Sequence, residues 1–301
     1  MGLTPKPYRD YSSFIRSIFG KRVQKISINT GFSCPNRDGT KGRGGCTYCN
    51  YQSFTPDYCK PQLSITQQLQ SGIDFFSRKY KTQDYLAYFQ TYTNTYGDLE
   101  KIKAAFEEAA AFPNVRGLVI GTRPDCVPDE LIVFLEKMAN EKMIAVELGV
   151  ESTLDKTLER INRCHTFSDT VNAFERLKNK GIHLGAHLIL GLPGESREEM
   201  LSHASTLSKL PVDTLKIHQL QILKHTQMAS EYLHHPENFN LFNAEEYLEF
   251  MIEFLLLLRK DIVIDRFISE SPEEMIIAPK WNGMKNHVFT ERLVRRMGEG
   301  R

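Results

Sequence analysis

The sequence predicts an α/β fold, a partial (β/α)6 TIM-like barrel with a C-terminal α/β extension. Three observations predict it. Six short, β-branched runs alternate with amphipathic stretches, which implies a parallel sheet covered by helices. The polar inserts fall at the C-terminal ends of those strands, where such folds carry their chemistry. Beyond residue 225 the alternation gives way to a long helix and a single strand. An open doubly wound sheet is the alternative layout.

Each element has its own warrant. Val23 to Thr30, VQKISINT, alternates and is β-branched, so it reads as a first strand ending at Gly31. Ser64 to Lys79 has helical spacing, with Ile65, Leu69, Ile73 and Phe76 on the buried face. Tyr85 to Thr91 is the second strand and Leu99 to Ala111 a helix. Val115 to Gly121 is the third strand, followed by TRPD and a helix over Asp129 to Glu141. Ile144 to Val150 is the fourth strand, ending at Glu151, and a helix follows over Thr170 to Lys180. Ile182 to Leu190 is the fifth, closed by GLPGE, with a helix over Glu198 to Leu210. Thr214 to Leu220 is the sixth. Asn243 and Glu246 form a capping-box pair that opens a helix to about Lys260, and Ile262 to Ile268 reads as a strand. The expected organisation is a basic extension over 1–22, the barrel over 23–225 with a cysteine loop at 31–50, and an extension over 226–301 covering the substrate side.

Composition narrows the class. The 301 residues are 41 % hydrophobic, enough for a substantial core. Met1 to Tyr11 is polar, unlike a signal peptide. The longest apolar run, Phe254 to Leu258, is far too short to span a bilayer. No membrane association and a cytoplasmic location are expected. The net charge is +1, but residues 1–60 hold ten Lys or Arg against three Asp or Glu. Positive charge is thus concentrated around the cysteine loop, as an anionic substrate or cofactor would favour; a solvated basic surface gives the same count.

That loop reads GFSCPNRDGTKGRGGCTYCN and spaces its cysteines C-x11-C-x2-C. Cys34, Cys46 and Cys49 are a poor structural zinc set, which closes four ligands, and no histidine lies in residues 1–60. Three thiolates suit a [4Fe–4S] cluster with one iron left open. A cysteine-rich zinc site and redox thiols remain the other readings of the spacing. Cys59, Cys126 and Cys164 are scattered and read as small buried hydrophobes, with Cys126 a lesser redox candidate.

The loop resembles that of radical S-adenosylmethionine (SAM) enzymes, although its first gap is longer than their usual C-x3-C-x2-C. Together, GFSCPNRDG, GGCTYCN, GTRPDCVPD, ELGVES, INRCH, HLILGLPGE and APKW resemble a bacterial family of Elongator-like radical enzymes of about 300 residues, over nearly the whole chain. The resemblance implies a [4Fe–4S] cluster on Cys34, Cys46 and Cys49, SAM on the open iron, reductive cleavage to a 5′-deoxyadenosyl radical, and hydrogen abstraction from a substrate. It also implies a reducing partner such as flavodoxin or ferredoxin. Tyr48 matches an aromatic near the adenine, Glu151 a ribose-binding position, and Arg163 an arginine pairing with the methionine carboxylate. His187 matches a polar ribose contact and Gly191 a turn near the adenine. Gln90 and Thr91 fall where many relatives carry Gly-Gly-Glu for the methionine amino group, a motif this chain lacks. Arg123, Asp125, Lys216, His218 and Gln219 are further cavity candidates from strand position.

Relatives of the Elongator catalytic subunit act on the wobble uridine of tRNA. The resemblance therefore implies a tRNA substrate, at the step from the 5-carboxymethylaminomethyl to the aminomethyl group. Arg292, Arg295 and Arg296 are candidates for phosphate contacts, and Lys280, Trp281 and Asn282 for base contacts. No recognisable RNA-binding domain accompanies them. A small-molecule substrate and a non-catalytic zinc protein are the competing readings.

Overall fold

The structure, a computed structural model, describes residues 6–77 and 84–299. The first half runs β1 (Arg9–Asp10), α1 (Tyr11–Phe19), β2 (Val23–Ile28), α2 (Ile65–Ser77), β3 (Asp84–Phe89), α3 (Leu99–Ala111), β4 (Val115–Thr122), α4 (Asp129–Ala139), β5 (Met143–Glu151) and α5 (Asp155–Arg160). The second half runs α6 (Phe167–Leu177), β6 (His183–Leu190), α7 (Arg197–Leu207), β7 (Thr214–Gln219), β8 (Ile222–Leu223), α8 (Gln227–His234), α9 (Ala244–Leu257), β9 (Val263–Arg266), β10 (Ile276–Ala278) and α10 (Asn286–Glu299). The expected continuation of α2 to Lys79 lies outside the described residues.

Eight strands form one parallel sheet in the order β1-β9-β7-β6-β5-β4-β3-β2. The six expected barrel strands are β2 to β7, and β9 and β1 extend the same sheet. The sheet is open but curled. Lys25 on the edge strand β2 reaches Asp265 on β9 at 2.8 Å and Glu147 on β5 at 3.1 Å. A flat sheet would hold those strands far apart, given a spacing of about 4.8 Å between neighbours. The result is a partial TIM-like barrel.

Alternation sorts the side chains. Ile26, Ile28, Ala87, Phe89, Leu118, Ile120, Ile144, Val146, Leu148, Leu184, Ala186, Leu188, Leu215 and Ile217 belong to the main core, packed outward against the helices. The opposite set faces the barrel interior. At its floor, Leu86, Tyr88, Val119 and Ala145 pack with Ile15 of α1, flanked by Tyr11 and Phe14. Phe14 also stacks on His183, ring centroids 4.8 Å apart. So α1, from the segment read as a basic extension, closes the bottom of the barrel.

Local chemistry sets the helix ends. Thr166 and Asp169 form a capping box, so α6 begins earlier than periodicity suggested. Asn243 and Glu246 make the expected box on α9. Lys260 folds back to donate to the Leu255 carbonyl at 2.8 Å, beyond the helix end at Leu257. Outside the barrel, α9 packs on α7 and α10 on α9. Among the described residues, no helix is long and apolar enough to cross a membrane.

Candidate active site

The cysteine loop leaves β2 at the C-terminal mouth of the barrel and is stitched to the segment after α5. Thr47 donates its N–H to the Ile161 carbonyl at 3.0 Å, and Asn162 Nδ2 donates to the Gly45 carbonyl at 2.8 Å. Gly42 permits this approach, because a Cβ there would lie 2.1 Å from Asn36 Oδ1. Cys34, Cys46 and Cys49, all free thiols, line one cavity of about 420 Å³.

Each thiol has an arginine nearby. Arg163 Nη1 donates to Cys46 Sγ at 3.6 Å, Arg123 lies within electrostatic reach of Cys34, and Arg37 within reach of Cys49. Arg123 Nη1 and Arg163 Nε are buried without a partner. Burying such donors is costly unless an anion completes them. Burial, reinforced by Cys46, pushes the Cys49 thiol up to about 12. A nucleophilic cysteine needs the opposite shift. Among the described residues, no group of three His, Cys, Asp or Glu side chains gathers as a single ion would require. A cluster instead takes each thiolate on a different iron. Thiols around a cavity with a cationic collar therefore fit an anionic iron–sulfur group.

Next to the thiols, β5 ends in an irregular stretch. Its register against β6 shifts between Gly149 and Glu151, and Glu151 holds a left-handed φ of 67°. Such strain in a non-glycine residue persists where the surroundings over-determine it, commonly at functional sites. Arg163 Nη2 donates to the Gly149 carbonyl at 2.7 Å and lies 3.6 Å from Glu151 Oε1. A Cβ at Gly149 would sit 2.6 Å from both side chains, so only glycine admits them.

Deeper in the barrel is a polar cluster centred on Glu147, which is 4 % exposed. It accepts from His187 Nε2 at 2.7 Å, Tyr88 OH at 3.0 Å, Lys25 Nζ at 3.1 Å and Lys216 Nζ at 3.3 Å. Lys216 Nζ also donates to Tyr88 OH at 2.6 Å. Gly185 makes room: a Cβ there would meet the Glu147 side chain at 2.9 Å. Burial works to raise the Glu147 pKa, but Lys216 and Lys25 hold it well below the usual carboxylate range. Burial pushes Lys216 down to about 8, against the pull of Glu147. Burial, then Lys216, lowers His187 and keeps its imidazole neutral.

The Lys216 shift predicts a pH signature. Its native pKa lies below the ordinary 10.5, so the unfolded chain binds more protons between about pH 8 and 10.5. The cost of burying this charge is fully present below pH 8 and is relieved as pH rises through that window. Relative to Lys216→Met, the native protein should gain up to about 3 kcal/mol of stability across it. Urea unfolding of both proteins at pH 7 and pH 10 checks this, and a pH-independent difference would refute it.

The cavity brings together most of the sequence-predicted residues. Tyr48, Gln90, Glu151, Arg163 and His187 line it beside the three cysteines, as do Arg123, Lys216, His218 and Gln219. Thr91 does not: it is buried behind the wall, its hydroxyl 3.3 Å from that of Thr55. Gly191 lies outside it, turned toward Leu220 and Phe242. Asp125 binds Arg123 at 2.9 Å and Lys41 at 2.6 Å, and faces a second hollow with Cys126. Burial, then Asp125, pushes the Cys126 thiol up to about 12, so it is held as the thiol. Cys59 is buried, whereas Cys164 is only partly so.

Trp281 donates Nε1–H to the Phe242 carbonyl at 3.0 Å and stacks on Phe289, which makes it a packing residue. Arg292 pairs with Glu245 and Arg296 with Glu249, which tie α10 to α9. Two members of the interior cluster, Lys25 and Tyr88, lie in no sequence motif, and the third, Glu147, opens ELGVES, whose expected role fell on Glu151. Their signal is polar alternation along strands otherwise made of Ile, Leu, Val and Phe.

The comparisons with known proteins agree with this geometry. Residues 28–207 match the model for the radical SAM superfamily, and residues 212–297 match that for the radical SAM C-terminal domain. The chain is 32 % identical to the uncharacterized protein YtqA of Bacillus subtilis over 95 % of its own length and 88 % of the relative's. It is 35 % identical to the protein YhcC of Escherichia coli over 87 % and 84 %. In three dimensions it superposes on the archaeal Elp3 of Methanocaldococcus infernus with a TM-score of 0.68 at 18 % identity, covering 92 % of this chain and 63 % of that one. That likeness concerns the fold. Family membership implies the use of SAM and an iron–sulfur group, which the thiols and their arginines fit. The chain belongs to the radical SAM superfamily.

Proposed function

We propose that this radical SAM enzyme acts on the wobble uridine of tRNA, carrying the 5-carboxymethylaminomethyl group toward the aminomethyl form. The observation that carries the reading is one cavity joining three thiols to a buried cluster of cations and acids; in this reading hydrogen abstraction belongs to the first end and recognition of a charged substituent to the second. The fold shared with Elp3 supports it. So does the 27 % identity over 163 residues to a protein of M. infernus named tRNA uridine(34) acetyltransferase, which covers 30 % of that protein.

In this reading Cys34, Cys46 and Cys49 hold a [4Fe–4S] cluster. Arg163, Glu151, Tyr48, Gln90 and His187 hold SAM. When bound, the cluster and SAM would supply hydrogen-abstraction chemistry directed at the carboxymethyl methylene. The chain's part is to orient the substituent, exclude water and keep its own groups in fixed protonation states. Tyr48, half-buried beside Cys46, has its pKa well above the ordinary value and stays a neutral phenol. A flavodoxin- or ferredoxin-type reductant and a cytoplasmic location complete the reading.

The test is nucleoside profiling. Cells lacking the gene should accumulate 5-carboxymethylaminomethyluridine in tRNA and lose the aminomethyl form. The reconstituted protein with SAM and a reductant should convert that tRNA in vitro, releasing 5′-deoxyadenosine. Unchanged tRNA in both experiments would rule the substrate out.

A further inference from the structure

Among the described residues, two guanidinium groups on the cavity wall lack a carboxylate partner: Arg37, which lies over the Tyr92 ring beside the loop thiols, and Arg266, at the end of β9. Every acid there is engaged: Glu147 by Lys25 and Lys216, Glu151 by Arg163, and Glu270 by Lys285 and the Asn286 N–H. Asp265, just behind the wall, binds Lys25. Lys25 and Lys216 are answered by these acids, and Arg123 and Arg163 have their own. Arg266, the last residue of β9, is not answered. Among the described residues no carboxylate lies within ion-pair distance of it. Its Nη2 meets only the His218 imidazole, at 3.0 Å, and its Nε is buried without a partner. Burial, then Arg266 itself, keeps His218 well below its ordinary pKa and therefore neutral.

The side chain is nonetheless held in place. His218 Nδ1 lies 2.8 Å from the Ser269 hydroxyl, and Gln219 Oε1 accepts the Ser269 N–H at 2.6 Å. These bonds fix the loop after β9 and orient the guanidinium. The interior set of Lys25, Lys216 and Arg266 against Glu147 and Asp265 thus carries one surplus positive charge. An uncompensated guanidinium in a partly desolvated wall is costly unless an anion completes it. Its planar fork suits a carboxylate through two charge-assisted bonds. A cavity of this volume, shared with a cofactor, admits a small substituent and not a polynucleotide backbone.

We propose that Arg266 is the carboxylate-binding residue of the substrate cavity, selecting an N-linked carboxymethyl group. The proposal rests on the tRNA reading for the carrier of that group, but the subsite is a property of the wall itself.

The experiment compares wild type, Arg266→Lys and Arg266→Gln. All three are reconstituted anaerobically and checked for equal iron content, SAM affinity and melting temperature. Calorimetry with SAM present measures the nucleosides 5-carboxymethylaminomethyluridine and 5-aminomethyluridine. Turnover is measured on tRNA carrying the first. Wild type should prefer the carboxylate-bearing nucleoside by about 100-fold, the worth of a bidentate charged pair. Arg266→Gln should erase that preference and lower kcat/KM on the tRNA by a similar factor, with Arg266→Lys between them. Equal affinity of wild type for both nucleosides overturns the proposal. So does an equal loss for both in Arg266→Gln. An Arg266-dependent preference without turnover of the tRNA would uphold the subsite and reject the tRNA reading.

Discussion

Replacing Glu147 with alanine should destabilise the protein by about 3–5 kcal/mol, the cost of breaking a buried ionic network by removing one partner. The carboxylate is buried and meets four side chains on four strands. Without it, Lys25 keeps Asp265, but Lys216 keeps only the Tyr88 hydroxyl in a site that already disfavours its charge. The damage should therefore be partly repaired in Glu147→Ala combined with Lys216→Met, a non-additivity that isolates the pair. The pH dependence follows from the depressed Glu147 pKa. Its stabilisation is full above the ordinary value of 4.5 and is lost as pH falls through the native value. Acid unfolding of wild type should be steeper than that of Glu147→Gln. Urea midpoints measure both effects, and a loss below about 1 kcal/mol would mean that the network is only a surface-type interaction.

Cys46→Ala should abolish 5′-deoxyadenosine formation altogether. Cys46 is the most enclosed of the three loop thiols, with Arg163 Nη1 and Asn36 Nδ2 each 3.6 Å from its sulfur. In the proposed cluster its loss would remove one of three iron ligands. Anaerobic reconstitution should give about four irons per wild-type chain and a depleted or labile centre in the variant. Circular dichroism should be unchanged, because the residue sits in a loop and not in the barrel core. Sustained product from Cys46→Ala would sink the assignment of this thiol.

Much of this was legible in the sequence because it follows from periodicity or spacing. The six barrel strands lie where β-branched alternation put them, and the capping box at Asn243 is an explicit signal. The cysteine spacing brought three thiols to one wall. The barrel interior was harder to read. Lys25 in VQKISINT and Glu147 in ELGVES are single polar residues in strands, and their meaning appears only when the sheet curls and sets them opposite one another. Arg266 is ordinary in sequence, and what singles it out is the count of partners around it. Thr91 and Gly191 show the limit of position matching at strand ends. One residue of register decides whether a side chain faces the cavity or the wall behind it, and Gln90 takes the inward place. The floor helix α1 also carried a signal that the reading as a basic extension passed over, since Tyr11, Phe14, Ile15, Ile18 and Phe19 follow the i, i+3, i+4, i+7, i+8 spacing of an amphipathic helix.

The parallel pairing of β1 with β9 fastens an early strand to a late one, with Arg9 donating to the Asp261 carbonyl across 252 positions of sequence. The floor of the barrel and the wall bearing Arg266 therefore mature together. During synthesis the cysteine loop emerges long before β9 does, so the thiols exist for some time without a sealed chamber. Contacts this distant in sequence form slowly and late. The assembly order thus places completion of the chamber after β9 has left the ribosome. An unfinished chain then has the loop but no enclosed space in which a radical can be aimed.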